Sequence, residues 1–130
     1  NHGIFAPDEV IRLFPRLEVK WEHKVHERPV CKLPKQKLSG ILMHYTYDSW
    51  QQWLDKAGQY TSIWAEDNFS KGKRVGKSAA FTHGIYGFIR AYFLQLGFLD
   101  GWAGLYSSLQ HFFYTLLKYW KLYELQQKNK

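Results

Sequence analysis

The sequence predicts an α+β fold: a few N-terminal strands followed by three amphipathic helices. Three observations predict it. Apolar and polar residues alternate over Leu17–Glu22, the period changes to that of a helix directly after Asp48-Ser49, and a glycine-rich break separates two aromatic helical stretches. That break is Gly97-Phe98-Leu99-Asp100-Gly101-Trp102-Ala103-Gly104.

The elements follow in order. Val10-Ile11-Arg12-Leu13-Phe14 is a short apolar run closed by Pro15, and Leu17, Val19 and Trp21 then alternate with Glu18, Lys20 and Glu22 as in a half-buried strand. A charged, proline-punctuated loop is expected from His23 to Lys37, and a second strand from Leu38 to Tyr47. Asp48-Ser49 is an N-cap signal for a helix running to about Phe69, with Trp50, Trp53, Leu54, Ala57, Thr61 and Trp64 on its core face. Lys71-Gly72-Lys73-Arg74-Val75-Gly76-Lys77 reads as a hinge, loosened by two glycines and four mutually repelling cations; it is either a solvated loop or an anion-binding one. A second helix, Ser78 to Leu96, carries Phe81, Ile85, Phe88, Ile89, Tyr92 and Leu96 on one face. Gly84 and Gly87 weaken its middle, unless they permit a close helix–helix approach. A third helix continues to about Leu125, with Leu105, Leu109, Phe112, Leu116, Tyr119 and Tyr123 on its main apolar face.

The break itself is expected to stop one helix and start the next. Glycine supplies the left-handed backbone that helix C-termini often use, and Asp100 is placed to cap the helix that follows.

Composition adds a second theme. The 130 residues form one domain or a piece of one; 45% are hydrophobic and 18% aromatic, including six Trp. The net charge of +7 is unevenly spread. Residues 1–70 hold nine basic and nine acidic side chains, whereas residues 71–130 hold nine basic ones against Asp100 and Glu124 alone. A basic, aromatic half points to an anionic partner, a lipid surface or nucleic acid. The single cysteine, Cys31, excludes an internal disulfide. The start, Asn1-His2-Gly3, has neither an initiator Met nor a signal-peptide pattern, as expected of a fragment or a processed product. The longest uncharged run, Gly101–Leu117, is 17 residues and includes polar side chains, short of the about 20 apolar residues of a spanning helix.

Chemistry-bearing residues concentrate in Trp21-Glu22-His23-Lys24-Val25-His26-Glu27-Arg28. Structural zinc needs four closed ligands, and no second Cys/His pair at usable spacing joins His23, His26 and Cys31. A His–Glu pair remains suited to acid–base work or to a hydrated divalent cation, against the plainer reading of a solvated charged loop. No nucleophile motif accompanies any histidine, and no Walker or dinucleotide pattern occurs.

The ordered set Pro7-Asp8, Ile11-Arg12-Leu13-Phe14, Val25-His26-Glu27, His44-Tyr45-Thr46-Tyr47-Asp48-Ser49, Tyr60-Thr61, Gly97 to Trp102 and Phe113-Tyr114-Thr115 through Lys118-Tyr119 and Leu122 resembles the late part of family 2 glycosyltransferases, most closely the lipopolysaccharide core type. The resemblance implies a GT-A-type mixed sheet completed by the N-terminal strands. It also implies transfer of a sugar from a nucleotide-sugar donor to a lipopolysaccharide or other glycan acceptor, with a divalent cation (Mg or Mn). In such enzymes the Asp-x-Asp metal site and the acidic base precede the Arg-Leu-Phe strand, and neither is in this sequence, which leaves independent enzymatic activity open. By resemblance, His26 and Glu27 form the edge of the site that meets donor diphosphate or its metal, and Arg12 and Asp8 lend structural support.

Residues 1–70 then comprise the last strands and first helix of a glycosyltransferase-like domain, and residues 71–130 a basic aromatic helical hairpin that associates with a membrane. Trp102, Phe113, Leu117, Trp120, Lys118 and Lys121 are the expected membrane-facing set, since an interfacial helix combines a wide apolar face with flanking cations. The implied location is peripheral, at the cytoplasmic face of the inner membrane; the implied partners are a nucleotide-sugar, a glycolipid acceptor, an anionic membrane surface and the missing N-terminal half. The alternative is a non-catalytic basic aromatic module that binds nucleic acid or a protein partner, with the Lys71–Lys77 loop and exposed rings as a stacking platform.

Overall fold

A computed structural model describes residues 11, 13–15, 17–22, 28–40 and 47–129. It is mostly helical, with one small sheet, in keeping with the α+β class. Strands β1 (Lys20–Glu22) and β2 (Arg28–Val30) pair antiparallel, with Trp21 opposite Pro29. β2 thus lies inside the segment read as a charged loop. Proline is tolerated there because a strand with one unpaired edge does not need every N–H in the ladder. Of the expected strand from Leu38 to Tyr47, the described residues Leu38–Gly40 and Tyr47 are not in a strand, and the remainder lies outside the described residues.

Helix α1 spans Trp50–Ser70, and Ser49 caps it as expected: its hydroxyl accepts from the Gln52 N–H at 3.2 Å. Its core contact is made by small residues, Ala57, Thr61 and Ala65, while Trp53 and Trp64 are half-buried and Trp50 and Leu54 are exposed. The expected tryptophan face therefore borders the core more than it fills it. Trp50 leans edge-on against Tyr106, 5.0 Å between ring centres.

Helix α2 (Ala79–Ile89) runs into a π-helical segment, Arg90–Leu94, marked by the Gln95 N–H donating to the Arg90 carbonyl at 2.8 Å. The chain then turns on Leu96, whose φ of 59° is left-handed, and continues through a 3-10 turn, Gly97–Asp100, into α3 (Gly101–Lys128). The left-handed residue that ends the helix is thus a leucine, not one of the glycines. Asp100 occupies the N-cap of α3 without making the side-chain cap hydrogen bond.

Gly97 and Gly104 have a different task, close approach. A Cβ on Gly104 would land on the Gly97 carbonyl, 2.7 Å from its carbon, and one on Gly97 would lie 2.7 Å from the Ala91 oxygen.

α3 is the central element, packing against both α1 and α2. Its buried line includes Gly104, Ser107, Ser108, Thr115, Tyr119 and Leu122, of which Leu122 is completely enclosed. α2 meets it through Ala80, Gly84, Gly87 and Ala91, spaced at turns of one helix face. A Cβ at Gly84 would sit 3.1 Å from the Phe112 ring, and one at Gly87 3.1 Å from the His111 ring. The bulky residues expected to share a face of α2 are largely on the outside: Phe81, Ile85 and Ile89 are exposed, and Phe88 and Tyr92 half-buried. The close approach that Gly84 and Gly87 permit decides the matter. Two backbones that touch through small side chains leave the large ones no room between them.

Two polar ties hold loops to α3. The Tyr47 hydroxyl donates to Gln110 Oε1 at 2.8 Å. Gln126 grips the connector after α1 from both sides: its Oε1 accepts from the Val75 N–H at 2.7 Å and its Nε2 donates to the Val75 carbonyl at 2.9 Å.

Candidate functional sites on the helical layer

The residues assigned to a donor edge, His26 and Glu27, lie outside the described residues, as do Arg12 and Asp8. Among the described residues, no three His, Cys, Asp or Glu side chains gather where they could hold a metal ion. The described chain offers two other surfaces, on different sides of α3.

The first is apolar. On α3, Trp102, Leu109, Phe113 and Trp120 are exposed, Trp102 to 85%. At about 100° per residue they fall within a narrow stripe along the helix. α2 adds Phe81, Ile85, Tyr86 and Ile89, the π-helical segment adds Phe93, all exposed, and the turn adds Phe98 and Leu99. Among the described residues, no helix is long and apolar enough to cross a membrane.

The expected membrane-facing set divides in the structure. Trp102, Phe113 and Trp120 are on this stripe, and Leu117 is half-buried beside it. Lys118 lies about 140° around the helix from Phe113. Lys121 sends its ammonium inward: Nζ donates to the Gly58 carbonyl at 2.6 Å, to Ser62 Oγ at 2.8 Å and to Thr61 Oγ1 at 2.9 Å. All three of its N–H donors have partners on α1, so it works as a clamp between helices.

The second surface joins cations and rings from every helix. Lys73 Nζ, from the connector, stands 4.8 Å from the Trp64 ring centre and 5.1 Å from that of Tyr119. Lys118 Nζ is 5.0 Å from Trp64, 5.7 Å from Tyr119 and 5.9 Å from Tyr114. His83, from α2, stacks on Tyr119 with ring centres 4.1 Å apart and planes nearly parallel, and Trp64 tilts against Tyr119 at 5.0 Å.

Burial lowers the Lys118 pKa from its ordinary value, and the Lys73 charge lowers it further. His111, in the α2–α3 seam, is likewise held below the usual histidine range, first by burial and then by Lys118 and Arg90. The carboxylates nearest in sequence are engaged elsewhere: Asp67 with Lys71 at 2.6 Å and Glu124 with Lys128 at 2.7 Å. Neither Lys73 nor Lys118 is paired with a carboxylate among the described residues.

Charge asymmetry located the basic half in the sequence, but not this pairing. The signal was the scarcity of acid in residues 71–130, where Asp100 and Glu124 stand against nine basic side chains, together with Trp64 at the end of an aromatic helix face.

Comparison with known proteins gives the chain a relationship. Over 93 residues, 72% of the chain, it is 33% identical to an uncharacterized glycosyltransferase of Rickettsia typhi. Over 92 residues, 71% of the chain, it is 33% identical to one of Rickettsia prowazekii, and over 93 residues, 72% of the chain, 32% identical to one of Rickettsia felis. The matched stretch is 32% or 33% of each relative, so the chain spans about a third of the length of the curated relatives it matches. No family model matches, and no solved structure matches. The chain is related to proteins named as glycosyltransferases.

Proposed function

We propose that the chain is the C-terminal portion of a membrane-associated glycosyltransferase, one that moves a sugar from a nucleotide-sugar to a lipopolysaccharide-type or other glycan acceptor. In this reading β1 and β2 belong to the edge of a GT-A-type sheet. His26 and Glu27 contact the donor diphosphate or its divalent cation, and the metal site and base lie outside these 130 residues. The helical layer rests on the cytoplasmic face of the inner membrane and keeps the active site near a lipid-linked acceptor.

The observation that carries the membrane part is the outward turn of the bulky face of α2, next to the exposed Trp102–Trp120 stripe of α3. Such a surface lowers its free energy by entering the headgroup–acyl boundary, and a net charge of +7 favours an anionic leaflet. Kinship with glycosyltransferases supports the transferase part. The nucleic-acid and protein-partner alternative draws on the same charge and rings but has no recognised nucleic-acid motif behind it.

Vesicle sedimentation at low salt tests the membrane reading. The chain is expected to bind phosphatidylglycerol vesicles, and Ile85→Glu with Ile89→Glu to weaken partitioning by at least about tenfold. Both side chains are about half exposed, so the fold should survive. Partitioning unchanged by the two charges would sink the idea. For the donor edge, His26→Ala in a longer, active form of the protein is expected to weaken donor binding by about tenfold, the scale of one lost charge-assisted contact. Unchanged donor affinity and transfer rate would remove His26 from the site.

A further inference from the structure

The apolar surface leaves the Lys73–Lys118 cluster unexplained. Two ammonium groups share the same two rings, Trp64 and Tyr119, and repel one another there. Ring faces attract cations but do not neutralise them. Proteins normally settle such a pair with a carboxylate, and among the described residues neither lysine has one.

The surroundings add rings and imidazoles from α2 and α3. His83 lies flat on Tyr119, and His111 is near enough to Lys118 to feel its charge. Four separate segments contribute: Trp64 from α1, Lys73 from the connector, His83 from α2, and Lys118, Tyr119, His111 and Tyr114 from α3. Tyr119 is buried and Trp64 and Lys118 half-buried, whereas Lys73 and His83 are exposed. The cluster therefore grades from a buried ring to exposed cations, and beside the buried ring a charge-assisted hydrogen bond counts for more than in bulk water.

We propose that Lys73 and Lys118, seated on the Trp64–Tyr119 rings with His83 beside them, bind the phosphate group of a phosphorylated ligand. Two ammonium donors beside the same two rings suit an acceptor with several oxygens and more than one negative charge, and phosphate esters and diphosphates have both. A monovalent ion such as chloride would leave one of the two cations uncompensated. The Lys71–Lys77 segment thus divides by role: Lys73 belongs to the site, Lys71 is engaged with Asp67, and Lys77 is exposed.

The site does not rest on the membrane reading. Ile85→Glu with Ile89→Glu should leave it intact, so the two proposals can fail separately.

Calorimetric titration of the 130-residue chain with pyrophosphate at low salt provides the test. Saturable binding is expected, and Lys73→Gln with Lys118→Gln should raise Kd by at least about tenfold. Lys71→Gln with Lys77→Gln makes the same change in net charge and should raise Kd by less than about threefold. Absence of saturable binding by the unaltered chain, or equal weakening by the two pairs, would overturn the site. Circular dichroism checks the fold of each variant. If the Lys118 substitution unfolds the chain, Lys73→Gln alone decides, because Lys73 is exposed; it should weaken binding by at least about threefold.

Vesicles of phosphatidylcholine with and without phosphatidic acid then separate two sources of the phosphate. Capture by phosphatidic acid that pyrophosphate reverses, and that the Lys73/Lys118 pair of substitutions abolishes, assigns a lipid headgroup. Vesicle behaviour unaffected by that pair, with pyrophosphate binding lost, assigns a soluble phosphate ester.

Discussion

Gly104→Ala is expected to destabilise the protein by at least about 3 kcal/mol, read as a fall in thermal midpoint of about 10 °C or more. The added methyl would have to occupy the position of the Gly97 carbonyl oxygen, and the neighbouring carbonyl carbon is 2.7 Å away. Backbone cannot step aside as a side-chain tip does. Gly97 is itself held on its other side, where its own Cβ position is 2.7 Å from the Ala91 oxygen. Relief would require the 3-10 turn to move off α3, and with it the chain leading back to α2.

A glycine elsewhere supplies the control. Gly58 lies within α1 with nothing inside 4 Å of its Cβ position, so Gly58→Ala should be neutral or stabilising by up to about 1 kcal/mol. A Gly104→Ala midpoint within about 2 °C of the unaltered protein would refute the close approach.

Lys121→Met should cost about 2 kcal/mol, visible as a lower denaturant midpoint with unchanged slope. The methionine keeps the apolar stem but loses three hydrogen bonds to α1. The loss stays below the sum of three separate bonds for a stated reason. Gly58 O still accepts from Ser62 Oγ at 3.0 Å, and Thr61 Oγ1 still donates to the Ala57 carbonyl at 2.6 Å, so no acceptor is orphaned. Lys121→Arg is expected to recover little of the loss. A planar fork cannot direct three donors at oxygens grouped on one turn of helix as an ammonium does. Full stability in Lys121→Met would show that the ammonium contributes nothing to α1–α3 contact.

Where the sequence reading succeeded, a local chemical signal decided the structure. Ser49 starts α1 because its hydroxyl meets a free N–H, and the break falls between two helices where the glycine-rich stretch indicated, although Leu96 and not a glycine makes the left-handed turn. Where it failed, the deciding interaction was remote. Periodicity on α2 grouped Phe81, Ile85 and Ile89 correctly but could not say that the opposite face would pack, since that depends on Phe112 and His111 of another helix. The turn on Leu96 escaped because a leucine carries no sign of left-handed backbone, a conformation it tolerates only when its neighbours hold it there. Lys118 and Lys121 looked alike as basic residues on an aromatic helix. One rests on rings and the other is locked into α1, a distinction set by Trp64 on one side and Ser62 on the other. The assignment of His26 and Glu27 to a donor edge rests on family resemblance and lies outside the described residues, and the paired lysines showed only as an imbalance of charge.

The seam between α2 and α3 has a consequence for how the surface can change over time. Ala80, Gly84, Gly87 and Ala91 have almost no side chain to trade, so nearly any replacement there meets Phe112, His111 or the turn. Phe81, Ile85, Tyr86 and Ile89 are less restricted, because each is exposed over much of its surface. A saturation scan of α2 should therefore separate two kinds of intolerance. Substitutions on the small face should reduce the amount of folded protein. Any outward position that resists polar replacement while the protein stays folded reports a demand from outside the chain, so tolerance along a single helix becomes a map of what the protein touches.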